Sequence, residues 1–127
     1  MAAFNGLGMN LGNLYRLSDA KTRSLCAENV SGEKNGGARS MDGCGAEASR
    51  ELPLGWKKSP CVRIADGETF DLADIDGPGA IQQIWMTLSG VGRLHILRVY
   101  WDGQEQPSVE VPLADFFCSG WGRYAQL

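Results

Sequence analysis

The stretch LHILRVYWDGQEQPSVEVPL, residues 94 to 113, constrains the fold more than any other part of the chain. Successive side chains of a strand point to opposite faces, so a period of two marks a half-buried strand. In the first half of the stretch, His95, Leu97, Val99 and Trp101 share one face, and Ile96, Arg98 and Tyr100 share the other. In the second half, Val109, Val111 and Leu113 alternate with Ser108, Glu110 and Pro112. Between them, DGQEQP is rich in turn formers. The pattern predicts two antiparallel strands with Leu97, Val111 and their neighbours inward. Pro112 has no N–H to give a ladder, so the second strand lies at an edge or ends there.

Strand-like segments continue back to Pro60. CVRI and TFDLADI flank an Asp66-Gly67 pair, a tight-hairpin signal of the type I′ kind. DGPG, residues 76 to 79, breaks the chain, and AIQQIWMTL follows with β-branched and aromatic residues. Short strands at roughly ten-residue spacing predict an all-β fold, an antiparallel β-sandwich or jelly roll. So few strands leave edges open and one sheet face uncovered, so the expectation is an incomplete jelly roll. Before Pro60 the composition changes. SGEKNGGARSMDGCGAEAS, residues 31 to 49, offers little to bury and reads as loop. A brief helix over AKTRSL, capped by Ser18 or Asp19, is the one regular element expected there. The organisation is thus a loop-rich segment over 1–59 and antiparallel strands over 60–127.

Charge and composition narrow the function. With 43% hydrophobic and 21% charged residues, a chain of 127 residues has the makings of a globular core. A net charge of −3 disfavours nucleic acid, which needs a clustered positive surface. No apolar run approaches a membrane span, and the N-terminus lacks the marks of a secretory signal, so a cytoplasmic setting is expected. Cys26, Cys44, Cys61 and Cys118 are irregularly spaced with no C-x-x-C pair, which argues against a metal site; disulfides are open on paper, but the missing signal argues for reduced thiols. His95 is the only histidine and sits in a strand pattern, so a Ser-His-Asp or Cys-His site has little support. GEKNGG lacks the Gly-Lys-Ser/Thr ending of a phosphate loop. No cofactor is expected.

The remaining chemical resources are aromatics and carboxylates. Trp85 and Trp101 fall within strand patterns and are expected in the core, whereas Trp56 and Trp121 sit beside glycines, where a sugar could stack. Glu28 and Glu33 lie on the polar stretch KTRSLCAENVSGEKNGG, and Asp71, Asp74, Asp76 and Asp115 fall near strand ends. A glycosidase requires two carboxyls about 5–9 Å apart, one protonated and one ionised. Loop spacing does not give that distance.

Three segments together resemble a known family: AKTRSLCAENVSGEKNGG, then LGWKKSPCVRIADGETFDLADIDGPGAIQQIWMT, then LRVYWDGQEQPSVEVPLADFFCSGWG. In order and in unusual composition they are similar to the opening of glycoside hydrolase family 172, formerly the domain-of-unknown-function family numbered 2961. The resemblance implies tandem jelly rolls, of which this chain would carry an incomplete first one, assembled as trimers or hexamers. It also implies retaining hydrolysis of α-linked fructofuranose or arabinofuranose by two glutamates. That pair is expected downstream of the matched region, so no catalytic residue is assigned within this chain, and inactivity on its own is expected. Arg23, Glu28, Asn29, Glu33 and Lys34 are read as a polar loop bordering a sugar site or a subunit contact, with Trp121 as a further sugar contact. The chain departs from relatives at Cys26, where serine is common, at Asn35, which interrupts a glycine run, and at Ala114, where glycine is common. The alternatives are a non-catalytic carbohydrate-binding or oligomerisation module using Trp56 and Trp121, and a small complete enzyme using Glu28 or Glu33.

Overall fold

A computed structural model of the chain describes Gly8 and residues 10–117. Two compact units divide between Ala80 and Ile81.

The second unit contains the hairpin that the alternating stretch predicts. Strand β1, Ile96–Val99, pairs antiparallel with β2, Val109–Pro112, with Leu97 opposite Val111 and Arg98 opposite Glu110. The alternation sorts the side chains as expected. Leu97 is 7% exposed, His95 and Val99 are half-buried, and Ile96, Arg98 and Tyr100 face solvent. On β2, Val109 and Val111 are half-buried and Leu113 is buried. Pro112 ends the strand, and the chain turns at once into the single helical turn α1, Leu113–Phe116. The Leu113 N–H still donates to the His95 carbonyl at 2.7 Å, so pairing outlasts the proline by one residue. A 3-10 turn at Gly92–Leu94 lies against α1, where Arg93 forms an ion pair with Asp115.

The tight turn of this hairpin starts just after β1. Gln104 donates to the Trp101 carbonyl at 3.0 Å, and both central residues have positive φ, 49° at Asp102 and 74° at Gly103. That is the signature of a type I′ turn, set here within the connection 100–108 rather than closing the ladder directly. The Asp66-Gly67 pair differs. Glu68 donates to the Ala65 carbonyl at 3.0 Å, but only Gly67 has positive φ, at 79°, as in a type II turn. The turn is present, but the hairpin expected around it is not.

The other expected strands are likewise corrected. CVRI, TFDLADI and AIQQIWMTL make no ladder among the described residues. Strand propensity expresses how well a side chain fits a covered, paired surface, and without a partner strand or opposing face it has nothing to act on. Trp85 shows the consequence: it is 76% exposed rather than in the core, and Trp101 is also exposed.

The first unit has little regular structure. A 3-10 turn at Leu11–Asn13 is capped by Asn10, whose side chain accepts from the Gly12 N–H at 2.8 Å. The AKTRSL helix does not form. Ser18 accepts from the N–H of Ala20 at 3.3 Å, a bond of the capping kind, but no apolar stripe follows to hold a helix down. Residues 31–49 are turns and bends, as their composition predicts. Among the described residues, the buried apolar side chains are Leu97 and Leu113, both in the second unit.

Contrary to the reduced-thiol expectation, Cys44 and Cys61 are joined by a disulfide, with Cα atoms 6.1 Å apart. The two segments meet because the Gly45 N–H donates to the Lys58 carbonyl at 2.9 Å, a proximity that irregular cysteine spacing does not reveal. Cys26 is a free thiol.

Candidate functional site

The polar stretch of the first unit is organised by two side chains, Glu28 and Asn29. Cys26 and Asn29 exchange both main-chain hydrogen bonds, Cys26 N–H to Asn29 O at 3.1 Å and Asn29 N–H to Cys26 O at 2.9 Å. This closes a tight turn with Glu28 near its tip. The Asn29 amide then holds the next turn. Its Nδ2 donates to the Glu33 carbonyl at 2.9 Å, and its Oδ1 accepts from the Glu33 N–H at 3.0 Å. One side-chain amide thus satisfies both main-chain groups of Glu33 and pins that turn. Gly36 completes the fit, since a Cβ there would lie 2.6 Å from Asn29 Oδ1. The glycine keeps the backbone close to the amide.

Glu28 works over longer range. Its Oε2 accepts from the Ala38 N–H at 2.9 Å. Its Oε1 accepts from the Lys58 N–H at 2.6 Å and from the Ser59 N–H. One carboxylate thus ties together main-chain segments 10, 30 and 31 residues away. Hydrogen bonds to an ionised acceptor are among the stronger ones in proteins, and each favours the charged form. The Ser59 N–H is the largest influence holding the Glu28 carboxyl below the ordinary glutamate range. Partial burial opposes it, and the Lys58 and Ala38 N–H groups and the Lys57 charge add to it. Lys58 is itself only 4% exposed, and its main chain makes the contacts in both directions, to Glu28 and from Gly45.

The other residues singled out from sequence are placed differently. Arg23 is exposed and its Nη1 donates to the neighbouring Thr22 carbonyl at 2.8 Å. Glu33 joins the loop through its main chain, while its side chain and that of Lys34 face solvent. Trp121 lies outside the described residues. Trp56 is half exposed beside Gly55, whose N–H donates to the Ala38 carbonyl at 3.2 Å. The indole is therefore carried by the same loop assembly that Glu28 organises. Sequence reasoning missed the donors Ala38, Lys58 and Ser59, because a main-chain N–H leaves no mark in the sequence. Among the described residues, no group of three or more His, Cys, Asp or Glu side chains is placed to hold a metal ion, and no helix is long and apolar enough to cross a membrane.

No curated protein matches the chain. The family model described as the GH172 first beta-sandwich domain matches residues 53–126, more than half of the chain. That span takes in Lys58 and Ser59, the β1–β2 hairpin and α1. The chain therefore belongs to glycoside hydrolase family 172, of which it carries the first β-sandwich domain.

Proposed function

We propose that the chain serves as the N-terminal part of a retaining hydrolase of α-furanosides, of fructofuranose or arabinofuranose type. In this reading its sandwich is the first jelly roll of a tandem pair, and the catalytic glutamates come from elsewhere in the full protein. The observation that carries the inactive-alone reading is the state of Glu28. A general acid needs a carboxyl whose pKa is raised so that it holds a proton near neutrality. Glu28 is shifted the opposite way, by three main-chain donors. A nucleophile needs a free oxygen aimed at the sugar, and both oxygens of Glu28 are already engaged. Glu28 suits a loop-building role, which positions whatever the loop borders.

The test is turnover of aryl α-furanosides by the wild-type chain, Glu28→Gln and Glu33→Gln. The expected result is no turnover in any of them. Measurable wild-type turnover that disappears in either variant would establish a small complete enzyme instead.

The half-exposed Trp56 favours a second, non-catalytic reading, in which the loop assembly presents an indole for stacking on a sugar ring. Quenching of tryptophan fluorescence by a furanoside oligosaccharide, lost in Trp56→Ala, would support it. Assembly of several copies belongs to the same proposal, because Trp85, Leu94 and Ile96 expose apolar surface that association would cover. A monodisperse monomer with a sharp cooperative melt would count against that assembly.

A further inference from the structure

We infer that the Cys44–Cys61 disulfide is a redox latch on the loop assembly that Glu28 organises. The inference stands on the first unit alone and does not depend on which sugar, if any, the protein acts on. Three observations converge on one short patch. The disulfide joins the segment around residues 43–45 to the segment 58–61. Beside it, the Gly45 N–H donates to the Lys58 carbonyl at 2.9 Å, and Gly43 approaches Ser59 so closely that a Cβ would collide with that side chain. Lys58 and Ser59 are the residues whose N–H groups hold the Glu28 carboxylate. The covalent link at Cys61 thus lies two residues beyond Ser59, on the same short segment as two of the donors to Glu28.

No apolar side chain of this unit is buried among the described residues, so no hydrophobic core holds the segments together when the link opens. Cys44 and Cys61 are both exposed, so a reductant reaches them without unfolding the chain. Exposed disulfides are the labile and regulatory ones, whereas structural disulfides resist reduction. The chemistry is ordinary thiol–disulfide exchange. A thiolate of a dithiol reductant attacks one sulfur, its second thiolate resolves the mixed disulfide, and two electrons and two protons pass to Cys44 and Cys61 as the reductant leaves in its own disulfide form. The opened segment 58–61 then loses its tether to 43–45, and Glu28 loses the pre-positioned pair of donors. In a reducing compartment the loop is loose, and in an oxidising one it is set.

The experiment follows amide hydrogen exchange in the full chain, oxidised and then treated with dithiothreitol without denaturant. Alkylation and mass measurement count the thiols gained. The expected result is a gain of two thiols, exchange about tenfold faster at Ala38, Lys58 and Ser59, and unchanged exchange in β1 and β2. Reoxidation restores the slow exchange. Cys44→Ser reproduces the reduced pattern, and Cys26→Ser leaves the response intact. The proposal is overturned if the oxidised chain holds no such disulfide, if reduction requires denaturant, if exchange at those three amides does not change, or if it rises equally in the strands.

Discussion

The two units of this chain reach order by opposite routes. In the second, a period-two pattern puts Leu97 and Leu113 inward, and apolar burial holds a hairpin. In the first, no described apolar side chain is buried, and order comes from polar groups: one carboxylate on three main-chain N–H groups, one amide on both main-chain groups of Glu33, and one disulfide. The difference teaches where each kind of order is vulnerable. Apolar burial is non-directional and fails when volume is removed, whereas a polar hub is directional and fails when a charge or a single donor is lost.

The largest effect should come from the apolar side. Leu97→Ala removes one of the two apolar side chains buried among the described residues, and a cost of about 2–4 kcal/mol is expected from lost transfer energy and the space left behind. Chemical denaturation of the hairpin's signal measures it, and an unchanged midpoint would mean that the alternation does not hold this unit. A smaller effect tests the polar, loop-rich side through its backbone. Nothing stands within 4 Å of a Cβ built on Gly67, so Gly67→Val probes its positive φ alone. About 1–2 kcal/mol of local destabilisation is expected, and a mutant indistinguishable from wild type would remove the turn at Ala65–Glu68.

Acid sharpens the comparison further. Because the folded pKa of Glu28 is lowered, its contribution is fully present above the ordinary glutamate range and is lost as pH falls through the lowered folded value. The loop should therefore stay ordered through the ordinary glutamate range and loosen only below it. Carboxyl chemical shifts followed by NMR check this, and titration of Glu28 together with a free glutamate would contradict it. The smallest effect is expected at the cross-strand pair Arg98–Glu110, Nε to Oε2 2.6 Å, on the exposed face of the hairpin. Solvent screens such a pair, so Glu110→Gln should leave the melting midpoint nearly unmoved. A large drop would show that the exposed face shares in holding the hairpin.

What could be read in advance follows the same division. The β1–β2 pair was legible because alternation runs on both sides of a turn-rich segment and Pro112 marks the end of the second strand; the register was not, since Val99 pairs with Val109 across a connection longer than the Asp102-Gly103 turn alone would make. The family was legible because unusual segments keep their order, and the matched span 53–126 agrees. The segments expected as strands over 61–88 form no ladder among the described residues, since a strand pattern does not say whether a partner is present; Trp85 in solvent is the clearest case. In the loop, Glu28 and Asn29 stood out as polar residues, but their roles depend on main-chain groups, the N–H groups of Ala38, Lys58 and Ser59 for Glu28 and the N–H and carbonyl of Glu33 for Asn29, which any residue but proline could provide. The disulfide was illegible for a related reason: the Gly45–Lys58 contact that brings Cys44 near Cys61 is a main-chain bond.

The most direct test of a loop built on one carboxylate is hydrogen exchange in Glu28→Gln. Glutamine keeps the shape but removes the charge and turns one acceptor into a donor, so at least one of the three N–H groups is left facing another donor. Exchange at Ala38, Lys58 and Ser59 should rise by about tenfold, the loss of roughly one charge-assisted hydrogen bond, while the amides of β1 and β2 keep their wild-type rates. Unchanged exchange at all three positions would contradict the account, because the loop would then be held by something other than Glu28.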